Sequence, residues 1–275
     1  MPPSPRPTSC SNGWTSSLWG EARVSEAAIT DRRRVAVIAH RGASADAPEN
    51  TLAAFDLARA LGADGVELDV HLSADGEPVV IHDHRLERTT DGRGLVGEQP
   101  LAALRRLDAG RWFGEAFAGQ RIPTLAEALA ALAGLRVIVE VKNGPIYYPG
   151  IAARVAAVIR DAGGGRVTVS SFDHPILQAV RRAAPELETA VLFVARPVDP
   201  VRLARDAGAA VLHPQWAFVT ADLVAGAHAA GLRVEAWTVD EAEQLRHVIA
   251  TGANGVMTNH PARALEVLRG IEGAG

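Results

Sequence analysis

The sequence predicts an α/β protein of the TIM-barrel class, a (β/α)8 barrel with a small insertion after strand two. Three observations carry that expectation. From Val35 onward, short apolar runs alternate with longer segments of helical periodicity, the pattern of βαβ units around a parallel sheet. Nine such runs occur, and one lies too near its predecessor for a parallel crossover, which leaves eight. A chain of 275 residues, nearly half of them apolar, suits a one-domain barrel of about 250 residues.

Residues 1–34 come first and fit neither period. They are rich in Pro, Ser, Arg and Ala, and are expected to form a mobile N-terminal extension in which only Trp14 and Trp19 offer apolar surface for docking. The barrel domain is expected over 35–275. Its first strand is Val35–His40, and the loop that follows contains Pro48-Glu49-Asn50-Thr51, which stiffens the chain and caps the first helix through Asn50 or Thr51. The second strand is Asp64–Val70. The run Pro78–Asp83 follows after only His71–Glu77, too few residues for a crossover helix, and Asp75-Gly76 there is a turn signal. This run should therefore fold back antiparallel beside strand two. The insertion extends over about 71–123, and Thr124 with Glu127 forms a capping box that starts the second helix. The remaining strands are expected at Val137–Lys142, Val167–Ser171, Thr189–Val194, Ala210–His213, Val234–Val239 and Gly255–Thr258.

Composition narrows the function classes. A net charge of -4 with mixed signs along the chain gives no basic face for a phosphate backbone, so nucleic acid is not an expected partner. No apolar run reaches the length of a membrane span, and the first 34 residues lack the apolar stretch of a secretory signal, so stable membrane insertion is not expected and a cytoplasmic location is. Cys10 is the only cysteine, which rules out an intramolecular disulfide.

The chemistry-bearing residues gather at strand ends. Glu67 and Asp69 lie two apart in a strand and so point to one face, while Val66, Leu68 and Val70 point to the other. Two carboxylates in a barrel mouth repel each other unless a positive charge joins them, and a divalent cation with oxygen ligands does so. Glu140 and Lys142 repeat the spacing at the end of the next barrel strand. A purely structural salt-bridge network is the plainer alternative, but barrel enzymes keep their sites at this end of the strands. His40-Arg41-Gly42 ends strand one, and His82-Asp83 ends the folded-back strand. One imidazole can take a proton while the other gives one, and Asp83 can orient its neighbour. Trp237 offers a flat apolar wall, with barrel packing an equal alternative, and Phe172 is a second, less favoured lining residue.

Taken in order, His40-Arg41-Gly42, Pro48-Glu49-Asn50-Thr51, Glu67-x-Asp69, His82-Asp83, Glu140-Val141-Lys142 and Trp237-Thr238-Val239-Asp240 resemble the glycerophosphodiester phosphodiesterase family. The resemblance runs from about Val37 to Pro261. It implies hydrolysis of a small-molecule glycerophosphodiester to glycerol 3-phosphate and an alcohol through a cyclic phosphate. Glu67, Asp69 and Glu140 would hold one divalent cation, Mg²⁺ or Ca²⁺ with Mn²⁺ as a further choice. His40 and His82 would be the general acid and base, and Arg41 and Lys142 would hold the phosphate. The chain departs from the family's frequent Thr-Asp near the last strand, where it reads Thr258-Asn259, and that change is expected to be silent. Two rival readings use the same fold. One is a lysophospholipase D or sphingomyelinase D-like phosphodiesterase, for which Trp112, Phe113 and Phe117 would serve the lipid chain. The other is an inactive phosphate-binding module.

Overall fold

The computed structural model describes residues 35–272. Expectations about 1–34, Trp14 and Trp19 included, lie outside the described residues. Nine strands form one sheet: β1 Ala36–His40, β2 Gly65–Leu72, β3 Pro78–Val80, β4 Arg136–Val141, β5 Val167–Ser171, β6 Glu188–Phe193, β7 Val211–Pro214, β8 Arg233–Ala236 and β9 Gly255–Thr258. Eight of them run parallel, and β1 pairs with both β2 and β9, so the sheet closes into a barrel. The ninth, β3, pairs antiparallel with β2, with Val70 opposite Val80 and Leu72 opposite Pro78. β2 runs on through His71 and Leu72, so the connection shortens to Ser73–Glu77, and its Asp75-Gly76 turn makes the hairpin that so short a link dictates.

Helices fill the crossovers: α1 Leu52–Leu61, α2 Leu101–Leu104 within the insertion, α3 Leu125–Ala131, α4 Ile151–Asp161, α5 His174–Ala183, α6 Pro200–Ala207, α7 Ala221–Ala229, α8 Ala242–Ala250 and α9 Pro261–Glu272. Thr124 and Glu127 make the capping box on α3. Thr51, not Asn50, caps α1, its hydroxyl accepting from the Ala54 N–H.

Strand alternation sorts the side chains into layers. Val66, Leu68 and Val70 face outward and pack with Phe55, Leu125 and Val155 under the helices, and Val191, Val234 and Leu245 do the same on the opposite flank. Ile38, Ile138 and Met257 fill the barrel interior. At the amino-terminal end of the barrel, Arg136 donates to Glu235 at 2.6 and 3.0 Å, and Arg233 donates to Glu188 at 2.6 Å. His213, buried, completes this layer against Glu235 at 3.1 Å. Inward polar residues therefore occupy both ends of the barrel, and an apolar plug separates them.

Candidate active site

At the opposite end, β2 presents Glu67 and Asp69 inward and the adjacent β4 presents Glu140, with Asp69 in register with Glu140. One carboxylate oxygen of each lies within 4.8 Å of the others, and all three residues are buried. Burial and the nearby Asp69 and Glu140 charges push the Glu67 carboxyl well above its usual range. Burial alone would push Asp69 up as well, but Lys142 and Arg41 outweigh it and hold that group well below the usual range. Glu140 is raised by burial, with Lys142 partly offsetting the effect.

Both cations predicted for the site are present and engaged. Lys142 Nζ lies 2.5 Å from Glu140 Oε1 and 3.0 Å from Asp69 Oδ1. Arg41 Nη1 donates to Glu49 Oε1 at 2.9 Å, and its Nε lies 3.2 Å from Asp69 Oδ2. Three acids thus face two cations. Asp69 Oδ1 and Arg41 Nε are buried and held by these ion-pair contacts alone, without a hydrogen bond of good geometry. An all-oxygen donor set with one carboxylate more than the two cations match suits a hard divalent cation.

The β1–α1 loop is built for close approach. Arg41 and Asn50 both adopt positive φ, 60° and 59°, a strained region for residues other than glycine. Gly42 follows at φ 82°, and a Cβ there would lie 2.7 Å from the Ala54 backbone at the start of α1. This turn aims the Arg41 N–H at Glu67 Oε2, 3.1 Å away, and returns Asn50 to Asp69, to which its amide donates at 2.8 Å. Asn50 is therefore a carboxylate-holding residue, a role that its position before a helix did not reveal.

His40 Nε2 points toward Glu67 at 3.9 Å, and burial, with Arg41 adding to it, lowers the ring's pKa to about 4. Its Nδ1 lies 2.8 Å from Asn259 Oδ1. Asn259 Nδ2 donates to Asp240 Oδ2 at 2.8 Å, so its Oδ1 is the acceptor and His40 Nδ1 carries the proton. On the other side of the opening, His82 Nδ1 lies 2.7 Å from Asp83 Oδ1. Arg88 bridges Asp83 and Glu49, donating at 2.7 Å to each, and with His82 it holds Asp83 far below the ordinary carboxylate range. Burial lowers the pKa of His82 too, although Asp83 opposes the shift.

A cavity of about 60 Å³ lies between these groups. Its lining contains His40, Arg41, Glu67, His82, Glu140, Lys142, Phe172 and Trp237, while Asp69 sits behind it, fully buried. The sequence-predicted residues thus converge on one spot. Phe172 and Trp237 meet edge to face at 5.4 Å, and the Trp237 indole N–H donates to the His213 carbonyl at 2.8 Å. The small cavity shares His82, Glu140, Lys142 and Phe172 with a polar groove of about 570 Å³ that runs toward Asn143, Tyr147 and Asp173. A larger cavity, about 620 Å³, lies away from the mouth between α3 and α4, walled mainly by aliphatic side chains such as Leu129 and Val158, and it holds no convergent acids.

The profile of the glycerophosphoryl diester phosphodiesterase family matches residues 40–263. The chain belongs to this family. A glycerophosphodiester phosphodiesterase of Caldanaerobacter subterraneus subsp. tengcongensis is 42% identical over 236 residues, covering 85% of this chain and 97% of that one. Among solved structures, a phosphodiesterase of Oleispira antarctica in complex with the product sn-glycerol-3-phosphate superposes with a TM-score of 0.78 at 33% identity, over 85% of this chain and 96% of that one. A crystal structure of a protein from Silicibacter pomeroyi gives 0.79 at 31% identity, over 88% of this chain and 95% of that one. The matched residues begin at His40 and extend past Asn259, so the whole mouth of the barrel lies within the family's span.

Sequence reasoning missed three contributors to this mouth. Glu49 and Asn50 were assigned to the loop, yet they hold Arg41 and Asp69. Asn259, whose replacement of the family's frequent Asp is expected to leave activity intact, touches His40, a contact the sequence does not announce. The β1–β9 register, which sets Ala39 opposite Thr258, is the signal that would have placed it there.

Proposed function

We propose that the protein hydrolyses glycerophosphodiesters to glycerol 3-phosphate and an alcohol, with one divalent cation at Glu67, Asp69 and Glu140 and with His40 and His82 moving the protons. The observation that carries this reading is the convergence of the three buried carboxylates, two cations and two oriented imidazoles on one cavity at the barrel mouth. Family membership and the glycerol 3-phosphate seen in the Oleispira antarctica protein point to the same substrate class.

A bound cation would polarise a phosphoryl oxygen. Its oxygen-only ligand set favours Mg²⁺, Ca²⁺ or Mn²⁺ over Zn²⁺. Lys142 and Arg41 border the cavity and counter charge that develops on the remaining oxygens. His40, protonated at Nδ1 and neutral near pH 7, offers the lone pair of Nε2 to a hydroxyl proton. His82 stands across the cavity; burial lowers its pKa and Asp83 partly restores the imidazolium form, the form that gives a proton to the departing alkoxide. Trp237 and Phe172 wall the small cavity beside Leu192 and Met257, a size and surface suited to a glycerol backbone. The headgroup then extends into the wider groove. Among the described residues no helix is long and apolar enough to cross a membrane, and the reading keeps the enzyme in the cytoplasm with water-soluble substrates.

The test is release of glycerol 3-phosphate from glycerophosphocholine and glycerophosphoethanolamine, with a lysophosphatidylcholine alongside. The protein is first treated with EDTA, and Mg²⁺, Ca²⁺ or Mn²⁺ is then restored. Cation-dependent release from the two soluble diesters is the expected result. Turnover confined to the lysolipid would favour the lipid-acting alternative, and no turnover on any substrate would return the phosphate-binding module.

A further inference from the structure

His71 continues the inward column of β2 beyond Glu67 and Asp69, and no motif of the family resemblance includes it. It is 2% exposed. Its Nε2 lies 2.9 Å from the carbonyl oxygen of His82, and its Nδ1 lies 3.0 Å from the Tyr148 hydroxyl. A carbonyl only accepts, so Nε2 carries the proton, and the Tyr148 hydroxyl must therefore donate to Nδ1. Both ring nitrogens are committed, and the tautomer is fixed without any charge.

The anchored carbonyl sits where the ladder has run out. β3 ends at Val80, and the last backbone bond of the hairpin region runs from the Ile81 N–H to the Asp69 carbonyl at 3.0 Å. The next backbone bond on this segment joins the Val96 N–H to the His84 carbonyl at 3.0 Å. His82 lies between the two. Tyr148 is itself held from several sides: its ring meets His71 edge to face at 5.5 Å, and its N–H donates to Asn143 Oδ1 at 2.9 Å. Gly97 of the insertion leaves room for that ring, because a Cβ there would lie 2.7 Å from Tyr148 Cε1.

We infer that His71 is a positioning residue for His82: its Nε2–H holds the His82 carbonyl, and the Tyr148 hydroxyl holds His71 in turn. Resting on the reading of His82 as a proton-transfer residue, this links the β4–α4 loop, which walls the headgroup groove, to the imidazole that faces the cavity. A misplacement of about 1 Å at such a group costs on the order of a hundredfold in rate.

The experiment is a double-mutant cycle on the full chain with its cation restored, reading kcat and KM for glycerophosphocholine. His71→Leu should lower kcat about tenfold or more and leave KM within about twofold. In a His82→Ala background the same substitution should cost nothing further, whereas in a His40→Ala background it should cost its full factor. His71→Gln, which can donate to the His82 carbonyl and accept from Tyr148, should recover most of the lost kcat. If His71→Leu does not fold, Tyr148→Phe should show the same pattern with a smaller loss. An equal loss with and without His82, or a Gln variant no better than Leu, would overturn the inference. Full activity of His82→Ala alone would instead overturn the reading of the reaction on which it rests.

Discussion

The two ends of the barrel each bury an ionic cluster, and they differ in how completely its members are matched. At the amino-terminal end, Arg136 makes two hydrogen bonds to Glu235, His213 adds a third, and Thr168 and Arg233 both donate to Glu188. Glu235 consequently lies far below the ordinary carboxylate range although it is buried. The one vacancy there is a neutral ring nitrogen, His213 Nδ1. At the mouth, three acids share two cations, Glu67 is pushed up, and Asp69 Oδ1 and Arg41 Nε are held by ion-pair contacts without a well-aligned hydrogen bond. The first cluster is closed and serves the fold. The second carries one acid more than its cations match, an excess that a positively charged guest would offset.

The sharpest way to break the comparison is to remove each end's chemistry in turn. His40→Ala or His82→Ala should lower kcat by about a hundredfold to ten-thousandfold, while the melting temperature stays near that of the parent; near-normal turnover in a folded variant would remove that residue from the mechanism. Arg136→Leu at the other end leaves Glu235 buried without its main partner. It should cost about 3–5 kcal/mol of stability, or about 6–20 °C in melting temperature, with kcat for the surviving fold little changed. A thermal melt paired with an activity assay reads both.

Acid sharpens the contrast less steeply. Burial lowers the pKa of His71 and His40 to about 4 and also lowers that of His213, so all three are neutral in the folded state at a pH where the unfolded chain protonates them. For these groups the unfolded state then binds more protons, so the contribution of His71 and His40 falls as pH drops from about 6.5 toward about 4, by up to about 1.4 kcal/mol per pH unit for each. Glu67 and Glu140, raised by burial, take up protons in the folded state and oppose that slope. Melts of the parent and of His71→Gln across that window check the sign: the variant should lose less stability on acidification, and parallel profiles would contradict a neutral His71.

Glu67→Gln should have the smallest effect on stability and the most telling one. Removing a charge that its neighbours repel should leave the melting temperature unchanged or raise it by about 1–3 °C. The rate and the response to added cation should both weaken, and an unchanged cation titration would exclude Glu67 as a ligand.

Much of this was legible in the sequence because it is local. Period-2 alternation put Glu67 and Asp69 on one face, and a seven-residue connection with Asp75-Gly76 forced β3 back onto β2. Thr124 with Glu127 announced α3 through residues three apart. The contacts that escaped prediction join residues far apart in the chain. Asn259 reaches His40 from 219 positions away, and Arg88 reaches Glu49 from 39. Neither a period nor a spacing encodes such a pair; only strand order and register bring it together. His71 escaped for a different reason, since a buried histidine that joins a carbonyl to a hydroxyl has no sequence signature.

The seam between β1 and β9 has a bearing on synthesis as well as on chemistry. His40 is among the first barrel residues to leave the ribosome, and Asn259 is among the last. Nascent chains carrying all three acids, both cations and both histidines would still lack the neighbour that fixes the His40 tautomer until the final strand had docked. Turnover would then switch on at the end of folding, so specific activity would count closed barrels and leave nearly finished ones uncounted.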